Sequence, residues 1–457
     1  MAMSTTGGAR AALAAVLTLA ALAAAPRASA QVDAPHEAAA VRDAFRHAWS
    51  GYERYAWGHD ELLPLSRGHR DWYPASFVMT PVDAYDTMLL MGLTDEAARA
   101  KALILDSLNF DRDFPVQVFE ITIRLLGGLL SAYQADGDPR FLSLAKDLGT
   151  RLLPAFGSPT GMPYRFVNLR TGAVSGPVSN PAEIGTLMLE FGALSKLTDD
   201  PRYYAAAKRA VVALFARRSL IGLVGSTIDV RTGAWVDRDS HVSGGIDSYY
   251  EYLLKAWLLF RDPDFGRMWD SSVAAVNRYL ADDRPEGLWY GHADMETGAR
   301  TLTHFGALDA FFAAVLARSG DTARADRLMA SIYRMWTAHG IEPEELDYTT
   351  MAVVSPGYVL RPEALESAYY LYRITGDVRY RAMSRAMVDS LFRYCRTDVG
   401  FAALRSVVTK ERLDQMESFF LAETLKYAYL TFAPPGALDF DAVVFNTEAH
   451  PLRRTWR

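Results

Sequence analysis

The segment VFEITIRLLGGLLSAYQADGDPRF, residues 118–141, contains the unit from which the chain is built. It begins as an apolar run of helical length with an acidic residue, Glu120, near its start. It then passes through the acidic turn DGDP, from Asp136, into a more polar segment. Aspartate can cap a helix, and proline suits the first turn of that helix. The pattern therefore predicts a helical hairpin with an apolar inner helix and a more polar outer helix.

The acidic turn recurs along the chain, which makes the hairpin a repeat. Further copies are DDPRY from Asp199, DPDF from Asp262, GDTAR from Gly320 and GDVRY from Gly376, with a looser copy, LTDEA, from Leu93. Pairing a helix near residues 41–55 with a final segment near 416–430 gives seven inner and seven outer helices. Alternating stretches that end in Thr-Gly, such as residues 161–172, predict short β-hairpins at the end where the inner helices begin. We expect an all-α toroid, although an open solenoid would show a similar repeat.

Residues 1–30 are typical of a signal peptide. Arg10 precedes an Ala/Leu/Val run that reaches Ala25, and Ala28-Ser29-Ala30 has the small-x-small form of a cleavage site. The run is short for a membrane span, and no later stretch is long and apolar enough for one. We therefore expect an exported protein without a membrane span, with one domain over residues 31–457.

The overall composition excludes several classes of partner and site. The formal charge of −6 makes nucleic acid and anionic membranes poor candidates as partners. The 50% hydrophobic content is enough for a large core. Cys395 is the only cysteine, so neither an intrachain disulfide nor a thiolate metal site can form. Its apolar neighbours favour a buried structural thiol.

Charged and polar side chains stand near the starts of the inner helices, where a toroid would bring them to one mouth. They are Asp83, Asp86, Glu120, Arg124, Glu183, Asp247, Glu251, His304, Glu363, Glu366 and Glu423. Each acid could merely complement the N-terminus of its own helix. That explanation is weaker for pairs three or four residues apart, such as Glu363 with Glu366, because such pairs share one helix face. Buried carboxylates are costly unless they are paired or face a ligand, so we expect one shared polar pocket.

Many carboxylates together with a few aromatic rings suit a neutral polyol ligand. The candidate rings are Tyr249, Tyr250, Trp289, Phe419 and Phe420. Two of the acids could also hydrolyse a glycoside, one as general acid and one as general base. An oxygen-bound ion is favoured over zinc, because the nine histidines include no HxxxH pair. Two motifs are weak candidates for a metal site, His59-Asp60-Glu61 and His292-Ala293-Asp294. The pair Gly127-Gly128 lies within a helix, which indicates close packing rather than a phosphate loop.

Six segments are long and specific enough to indicate a family. They are HAWSGYERYAWGHDELLPLS from His47, VFEITIRLLGGLLSAY from Val118, SGGIDSYYEYLLK from Ser243, RPEALESAYYLYRITGD from Arg361, MESFFLAETLKYAYL from Met416 and VVFNTEAHPL from Val443. Together they resemble glycoside hydrolase family 47, the class I α-1,2-mannosidases, from about Val41 to Leu452. The resemblance implies an (α/α)7 barrel that a C-terminal strand segment enters.

The resemblance also implies an activity, which is the inverting hydrolysis of a terminal α-1,2-linked mannose. Glu120 matches the family's proposed general acid, which acts through a water, and Glu363 matches the proposed base. Asp247 matches a third essential carboxylate, and the resemblance leaves open which of Glu120 and Asp247 is the principal acid. Residues that match the mannose pocket are Arg124, Glu183, His304, Arg361, Glu366, Phe419, Glu423 and Glu448. Thr447 matches the ligand of a calcium ion, which waters and the sugar 2- and 3-hydroxyls also bind.

The sequence departs from the family pattern at two points. Eukaryotic members usually carry a disulfide, which this chain cannot form, so we expect a bacterial protein of the periplasm or the medium. Gly245 stands where endoplasmic-reticulum-type members have an arginine, which predicts a broader or different linkage context.

Two other functions are possible for the same pattern. They are a mannose-binding lectin with little hydrolysis and another barrel enzyme such as an epimerase. We expect a monomer, and the sequence does not identify the natural glycan.

Overall fold

Consecutive helix pairs account for most of residues 32–456, the part of the chain that this computed structural model describes. The predicted signal peptide, residues 1–30, lies outside the described residues. The helices are α1 Ala34–Tyr55, α2 Met79–Met91, α3 Thr94–Ser107, α4 Val118–Ile121, α5 Gly127–Asp136, α6 Pro139–Leu152, α7 Pro181–Gly185, α8 Met188–Thr198, α9 Pro201–Phe215, α10 Asp247–Phe260, α11 Pro263–Tyr279, α12 Phe311–Ser319, α13 Thr322–Ala338, α14 Glu363–Thr375, α15 Arg379–Cys395 and α16 Leu425–Phe432. Within the described residues, no helix has both the length and the apolar character needed to cross a bilayer.

One helix of each pair is largely buried, and its partner is buried on one face. The inner helices are α2, α4 with α5, α7 with α8, α10, α12, α14 and α16, and the outer helices are α3, α6, α9, α11, α13, α15 and α1. Consecutive inner helices contact each other, and the residues just before α16 contact α2. The seven helical hairpins predicted from the repeat are therefore present in residues 32–456, including the pairing of α1 with α16.

The acidic turns reverse the chain by the predicted capping chemistry. The inner helices α2, α5, α8, α10, α12 and α14 each end at a residue in the left-handed conformation, and these residues are Gly92, Gly137, Asp199, Arg261, Gly320 and Gly376. In four of these six turns an aspartate then caps the next helix, whereas Leu93 and Val378, which precede α3 and α15, provide no side-chain cap. Asp138, for example, accepts a 3.0 Å hydrogen bond from the backbone N–H of Arg140. Asp200, Asp262 and Asp321 cap α9, α11 and α13 in the same way.

Short antiparallel strands form the connections at the end where the inner helices begin. They are β1 Glu61–Leu63, β2 Gly68–Arg70, β3 Pro115–Gln117, β4 Phe166–Asn168, β5 Val174–Ser175, β6 Val178–Ser179, β7 Thr227–Asp229, β8 Trp235–Asp237, β9 Asp239–Ser240, β10 Ala281–Arg284, β11 Gly287–Tyr290, β12 His292–Asp294, β13 Arg300–Leu302, β14 His304–Gly306, β15 Glu345–Asp347, β16 Ala352–Ser355, β17 Ala403–Ser406, β18 Glu411–Leu413, β19 Val443–Phe445 and β20 Pro451–Arg453. The strands β3, β6, β9 and β14 each precede an inner helix and pair with the hairpin of the next repeat, with Val116 opposite Val167 in the first case. These sheets hold the starts of the inner helices together.

Cys395 lies at the end of α15 and is fully buried. Burial raises the pKa of its thiol to about 12, so the thiol stays protonated. The structure therefore confirms the interpretation of Cys395 as a buried core thiol.

The end of α5 provides a test of the turn chemistry. Gly137 has φ +83°, and a Cβ at this position would meet no heavy atom within 4 Å. We expect Gly137→Ala to lower the free energy of unfolding by about 1–2 kcal/mol through backbone strain alone. Gly436 is the matched control, because its Cβ would also meet nothing within 4 Å and its φ is not positive. Equal denaturation midpoints for the two alanine variants would contradict the prediction that backbone strain destabilises Gly137→Ala.

Candidate active site

A single cavity collects predicted residues from most of the inner helices. Its volume is about 270 Å³, and eight acidic side chains but only two arginines line it. The predicted site residues on its wall are Glu120, Arg124, Glu183, Asp247, Arg361, Glu363, Glu366, Phe419, Glu423, Thr447 and Glu448. The excess of acids disfavours an anionic ligand and favours a neutral or cationic one.

Arg124 joins several of these groups. Its Nε donates a 2.9 Å hydrogen bond to Glu120, as the spacing of four residues predicts. Its Nη1 donates to Glu448 and, at 3.4 Å, to Ser418. The guanidinium also lies 5.6 Å from the ring centre of Phe419. Arg124 thus holds an acid from α4 against an acid from the C-terminal segment.

Two π-helical segments interrupt the inner helices at the cavity. The first, Thr122–Leu126, contains Arg124, and the second, Phe420–Thr424, contains Glu423. A π segment adds a residue to the turn and often marks a functional site. The sequence does not predict either segment, because their apolar pattern does not differ from that of an ordinary helix.

Asp247 is the first residue of α10, directly after the cavity-lining Gly244 and Gly245. Its carboxylate accepts a 2.6 Å hydrogen bond from the backbone N–H of Ser248. Burial raises the pKa of Asp247 to about 7, although the hydrogen bonds from Ser248 oppose the shift. Asp247 can therefore hold a proton near neutral pH, as a general acid must.

Glu363 is the first residue of α14, and one of its carboxyl oxygens has no hydrogen-bond partner in the described part of the chain although it is buried. Burial raises the pKa of Glu363 to about 8, although the neighbouring Arg361 opposes the shift. Two hydrogen bonds of 3.1 and 3.0 Å to Glu344 hold Arg361 in place. A buried polar atom without a protein partner indicates a site for water or a ligand.

The deeper acids lie close enough together to repel one another. Burial raises the pKa of Glu448 to about 8, although Arg124 opposes the shift. It raises the pKa of Glu366 to about 7, although Lys255 opposes the shift. Burial also raises the pKa of Glu423 well above its usual range, and the charges of Glu448 and Glu363 contribute. These groups must either hold protons or share a cation.

Oxygen donors for a cation are present beside these acids. Thr447 lies on the same cavity wall as Glu363, Glu366, Glu423 and Glu448. Hydroxyl, carbonyl and carboxylate oxygens are the donors that calcium prefers. The raised pKa values and the unpartnered oxygen of Glu363 therefore fit an oxygen-bound divalent cation.

Thr447 lies in a tightly held turn between β19 and β20. The side-chain oxygen of Asn446 accepts hydrogen bonds from the backbone N–H groups of Glu448 and His450, at 2.9 and 2.8 Å. The amide nitrogen of Asn446 donates to the backbone of Ile123 at 2.8 Å. The backbone N–H of Thr447 donates to Tyr252 at 3.2 Å. The sequence motif contains Asn446 and His450, but only the folded chain shows that they shape this turn.

Gly127 and Gly128 make room for that turn. A Cβ at Gly127 would lie 2.5 Å from the Asn446 amide nitrogen, and one at Gly128 would lie 2.8 Å from Val82 and 3.2 Å from His450. The structure confirms the interpretation of this glycine pair as a packing feature.

Several predicted residues lie away from the cavity. His304 is on β14 rather than at the start of α12, and its Nδ1 lies 3.1 Å from Glu345. Asp83 and Asp86 lie below the cavity, where Asp86 contacts Lys426 at 2.7 Å and His450 at 2.8 Å. Of the five rings proposed to cover a sugar, only Phe419 is on the cavity wall; the other four, Tyr249, Tyr250, Trp289 and Phe420, belong to the core. The strand pairing of His304 and the inward rotation of the other rings are not visible in the sequence pattern.

Glu183 reaches the cavity, but hydrogen bonds already occupy its carboxylate. Arg165 donates two hydrogen bonds of 2.7 Å, and Gln117 donates one of 2.9 Å. Its structural role is to connect α7 to β3 and to the residue that precedes β4.

Acids that converge on one cavity of a helical scaffold are the arrangement of a glycoside hydrolase. The family model of glycosyl hydrolase family 47 matches residues 44–454. Mannosyl-oligosaccharide 1,2-alpha-mannosidase IB of Homo sapiens is 37% identical, over 90% of this chain and 69% of its own length. ER degradation-enhancing alpha-mannosidase-like protein 2 of Homo sapiens is 38% identical, over 92% of this chain and 78% of its own. An alpha-1,2-mannosidase structure from Trichoderma reesei superposes with a TM-score of 0.84 at 30% identity, covering 92% of this chain and 99% of that one. The chain belongs to glycosyl hydrolase family 47 and is a glycoside hydrolase.

Gly127 allows a direct test of the turn that carries Thr447. We expect Gly127→Ala to lower the free energy of unfolding by about 1–3 kcal/mol, because the new methyl group overlaps the Asn446 amide. In the double variant with Asn446→Ala the 2.5 Å overlap is gone and only a tight contact of 3.2 Å with His450 remains, so the loss should be smaller than the sum of the two single losses. Denaturation of the four proteins measures this coupling. Strict additivity would show that the two residues do not meet.

Proposed function

We propose that this protein is a calcium-dependent, inverting α-1,2-mannosidase that removes terminal mannose residues, and that its helical hairpins form an (α/α)7 barrel. The observation that carries the proposal is that Glu120, Asp247 and Glu363 line one cavity together with Thr447. Contacts that pass from inner helix to inner helix and return to the first support the closed barrel. The relative mannosyl-oligosaccharide 1,2-alpha-mannosidase IB is named for a 1,2 linkage, which supports the choice of linkage.

The size of the cavity supports action at a chain end. Its volume of about 270 Å³ is below the range of roughly 300–1,000 Å³ that is typical of ligand pockets. A cavity of this size suits one terminal sugar. The excess of acids around it favours hydrogen bonds to sugar hydroxyls, and Phe419 provides an apolar face.

The positions of the acids allow an inverting mechanism. Glu120, Asp247 and Glu363 belong to α4, α10 and α14, which are not neighbours in the ring of inner helices. An inverting enzyme needs its acid and its base on opposite faces of the sugar, with room for a water beside the base. In this proposal Glu363 accepts the proton of that water while it is ionised, and a cation beside it would favour this form over the protonated form that burial favours. Asp247 holds a proton near neutral pH, and Glu120, which Arg124 orients, completes the acid side.

Calcium would be held by the hydroxyl and backbone carbonyl of Thr447, with Glu363, Glu366, Glu423 and Glu448 around it through water. When bound, calcium supplies positive charge beside these acids and binds a pair of sugar hydroxyls. The chain's own residues position the sugar, exclude bulk water and hold the protons.

We propose that the protein is exported from a bacterial cell, and the signal-peptide pattern of residues 1–30 supports the export. We also propose that it acts as a monomer on mannose-terminated glycans. Gly245 supports an open linkage context, because a Cβ there would meet only Asn180, at 3.8 Å.

Replacement of the base is the main test of the mechanism. We expect Glu363→Gln to lower the rate of mannose release from an α-1,2-mannobioside by at least about 100-fold while the sugar still binds. Glu342→Gln is the matched control, because Glu342 is also buried near Glu363, is absent from the cavity wall and has a pKa that burial raises well above its usual range. Glutamine therefore replaces a group that is already neutral, and turnover should stay within about threefold. Undiminished hydrolysis by Glu363→Gln would reject the assigned base.

The same assay separates the enzyme from the lectin. If the protein were a mannose-binding lectin, the unmodified chain and both variants would bind the mannobioside, and the unmodified chain would release no mannose from it. NMR of the first product gives the stereochemistry, because inversion yields β-mannose.

Calcium can also be tested without an activity assay. Glu363 and Glu448 have pKa values of about 8 in the folded chain against an ordinary value of 4.5. The folded state therefore binds more protons than the unfolded state, and this contribution makes stability fall as the pH rises from about 4.5 to 8. A cation at these carboxylates competes with the protons, so calcium should stabilise the protein more at pH 8 than at pH 5. At 100 times its Kd the gain at pH 8 is about 2.7 kcal/mol.

The measurement is thermal unfolding with chelator or with calcium, and sodium chloride at equal ionic strength is the control. An increase in Tm that is the same at both pH values, or no increase, would contradict calcium binding among these acids.

A further inference from the structure

A second group of ligand-type side chains lies outside the cavity, on the sheet of β9, β12 and β13. Asp239 belongs to β9, His241 directly follows that strand and His292 begins β12. The pairing of Ser240 with Ala293 brings the three together. One potential ligand atom from each lies within 4.8 Å of the other two.

We propose that Asp239, His241 and His292 bind a divalent transition-metal ion of the zinc type. Two imidazoles and one carboxylate are a common ligand set for zinc and cobalt, with water in the fourth position. Calcium prefers oxygen donors, so this site and the carboxylate cavity select different ions. The inference does not depend on the activity proposed above.

His241 accepts a hydrogen bond that a metal ion at the same nitrogen would replace. The backbone N–H of Ser243 donates this bond to Nδ1 of His241 at 3.2 Å. His241 is buried, with 7% of the residue exposed, and burial disfavours a charged ring. Neutral imidazole is the form that binds a metal ion.

The other two ligands already face each other. Oδ2 of Asp239 lies 2.6 Å from Nδ1 of His292, and Oδ1 of Asp239 accepts a 2.7 Å hydrogen bond from Thr301. A metal ion would replace the proton that Asp239 and His292 share, and this proton would pass to solvent. The side chain of His292 is 12% exposed and that of Asp239 is 26% exposed, which leaves a path for the ion.

The hydrogen bond between Asp239 and His292 does not explain why His241 lies beside them. The His241 and His292 rings lie 4.5 Å apart, tilted by 30°. A metal ion can bind both imidazole rings together with the carboxylate of Asp239. The metal site therefore accounts for the second imidazole, which the hydrogen bond leaves unexplained.

An ion at this site would fix the segment that leads to the cavity. His241 begins the path to Asp247, whose backbone N–H donates a 3.0 Å hydrogen bond to the carbonyl of Ser243. The carbonyl of Gly245 accepts a 2.9 Å hydrogen bond from Ala182, and Gly244 and Gly245 line the cavity. The three ligands would act as positioning residues, since none of them lines the cavity.

The experiment is a calorimetric titration of the full chain with zinc at about pH 8, after removal of metals and resupply of saturating calcium. We expect one zinc ion per chain, and cobalt in its place should show the visible absorption of a four-coordinate site. His241→Ala and His292→Ala should each weaken zinc binding by more than about 100-fold. Asp239→Asn, which preserves the side-chain shape, should weaken it by at least about tenfold.

His59→Ala is the matched control. His59 stacks on His69 with ring centres 3.4 Å apart and contacts Asp71 at 2.9 Å, so it has the same kinds of neighbours without belonging to the metal group. Zinc affinity should not change in this variant. The absence of zinc binding by the unmodified chain, or equal affinity in all variants, would overturn the proposal. If His241→Ala does not fold, His292→Ala and Asp239→Asn decide the question.

Discussion

The burial of many carboxyl groups around one small cavity is the constraint on which the rest of the structure depends. An ionised carboxylate away from water costs several kcal/mol unless positive charge or hydrogen-bond donors accompany it. Arg124, Arg361 and Lys255 accompany part of the set, but the acids on the wall outnumber the arginines by eight to two. The remaining charge must be neutralised by protons or by a cation. The charge state of the cavity therefore depends on what occupies it.

The layer directly below the cavity shows how the same chain treats acids that have only a structural role. Burial would raise the pKa of Asp86, but Lys426 and His450 lower it to about 2. Each of these charges has a partner within the protein. At the cavity, by contrast, burial prevails over the hydrogen bonds from Ser248 at Asp247 and over the charge of Arg361 at Glu363, and their pKa values reach about 7 and 8. Acids that the fold leaves incompletely paired are the ones available to a ligand.

The sequence predicted the parts of this arrangement that depend on local spacing. The acidic turns specify the hairpins, the Glu120–Arg124 spacing specifies an ion pair, and eleven of the twelve residues taken from the family resemblance line one cavity. It did not predict features that arise from contacts between distant segments. The π-helical turns, the position of His304 on a strand and the proximity of Asp239 to His292 all follow from tertiary packing. His292 belonged to a motif that alone was too weak to indicate a site.

The pairing of the first helix with the last has a consequence for how the protein reaches its native state. Helix α1 buries Val41, Phe45 and Trp49, and it packs against α16 near the other end of the chain. During synthesis, the apolar side of α1 leaves the ribosome long before its partner exists. The final hairpin can thus form only after translation has passed α16, and until then the apolar side of α1 lacks its partner helix. Closure of the molecule is consequently a late folding event of high contact order, and slow folding is its expected cost.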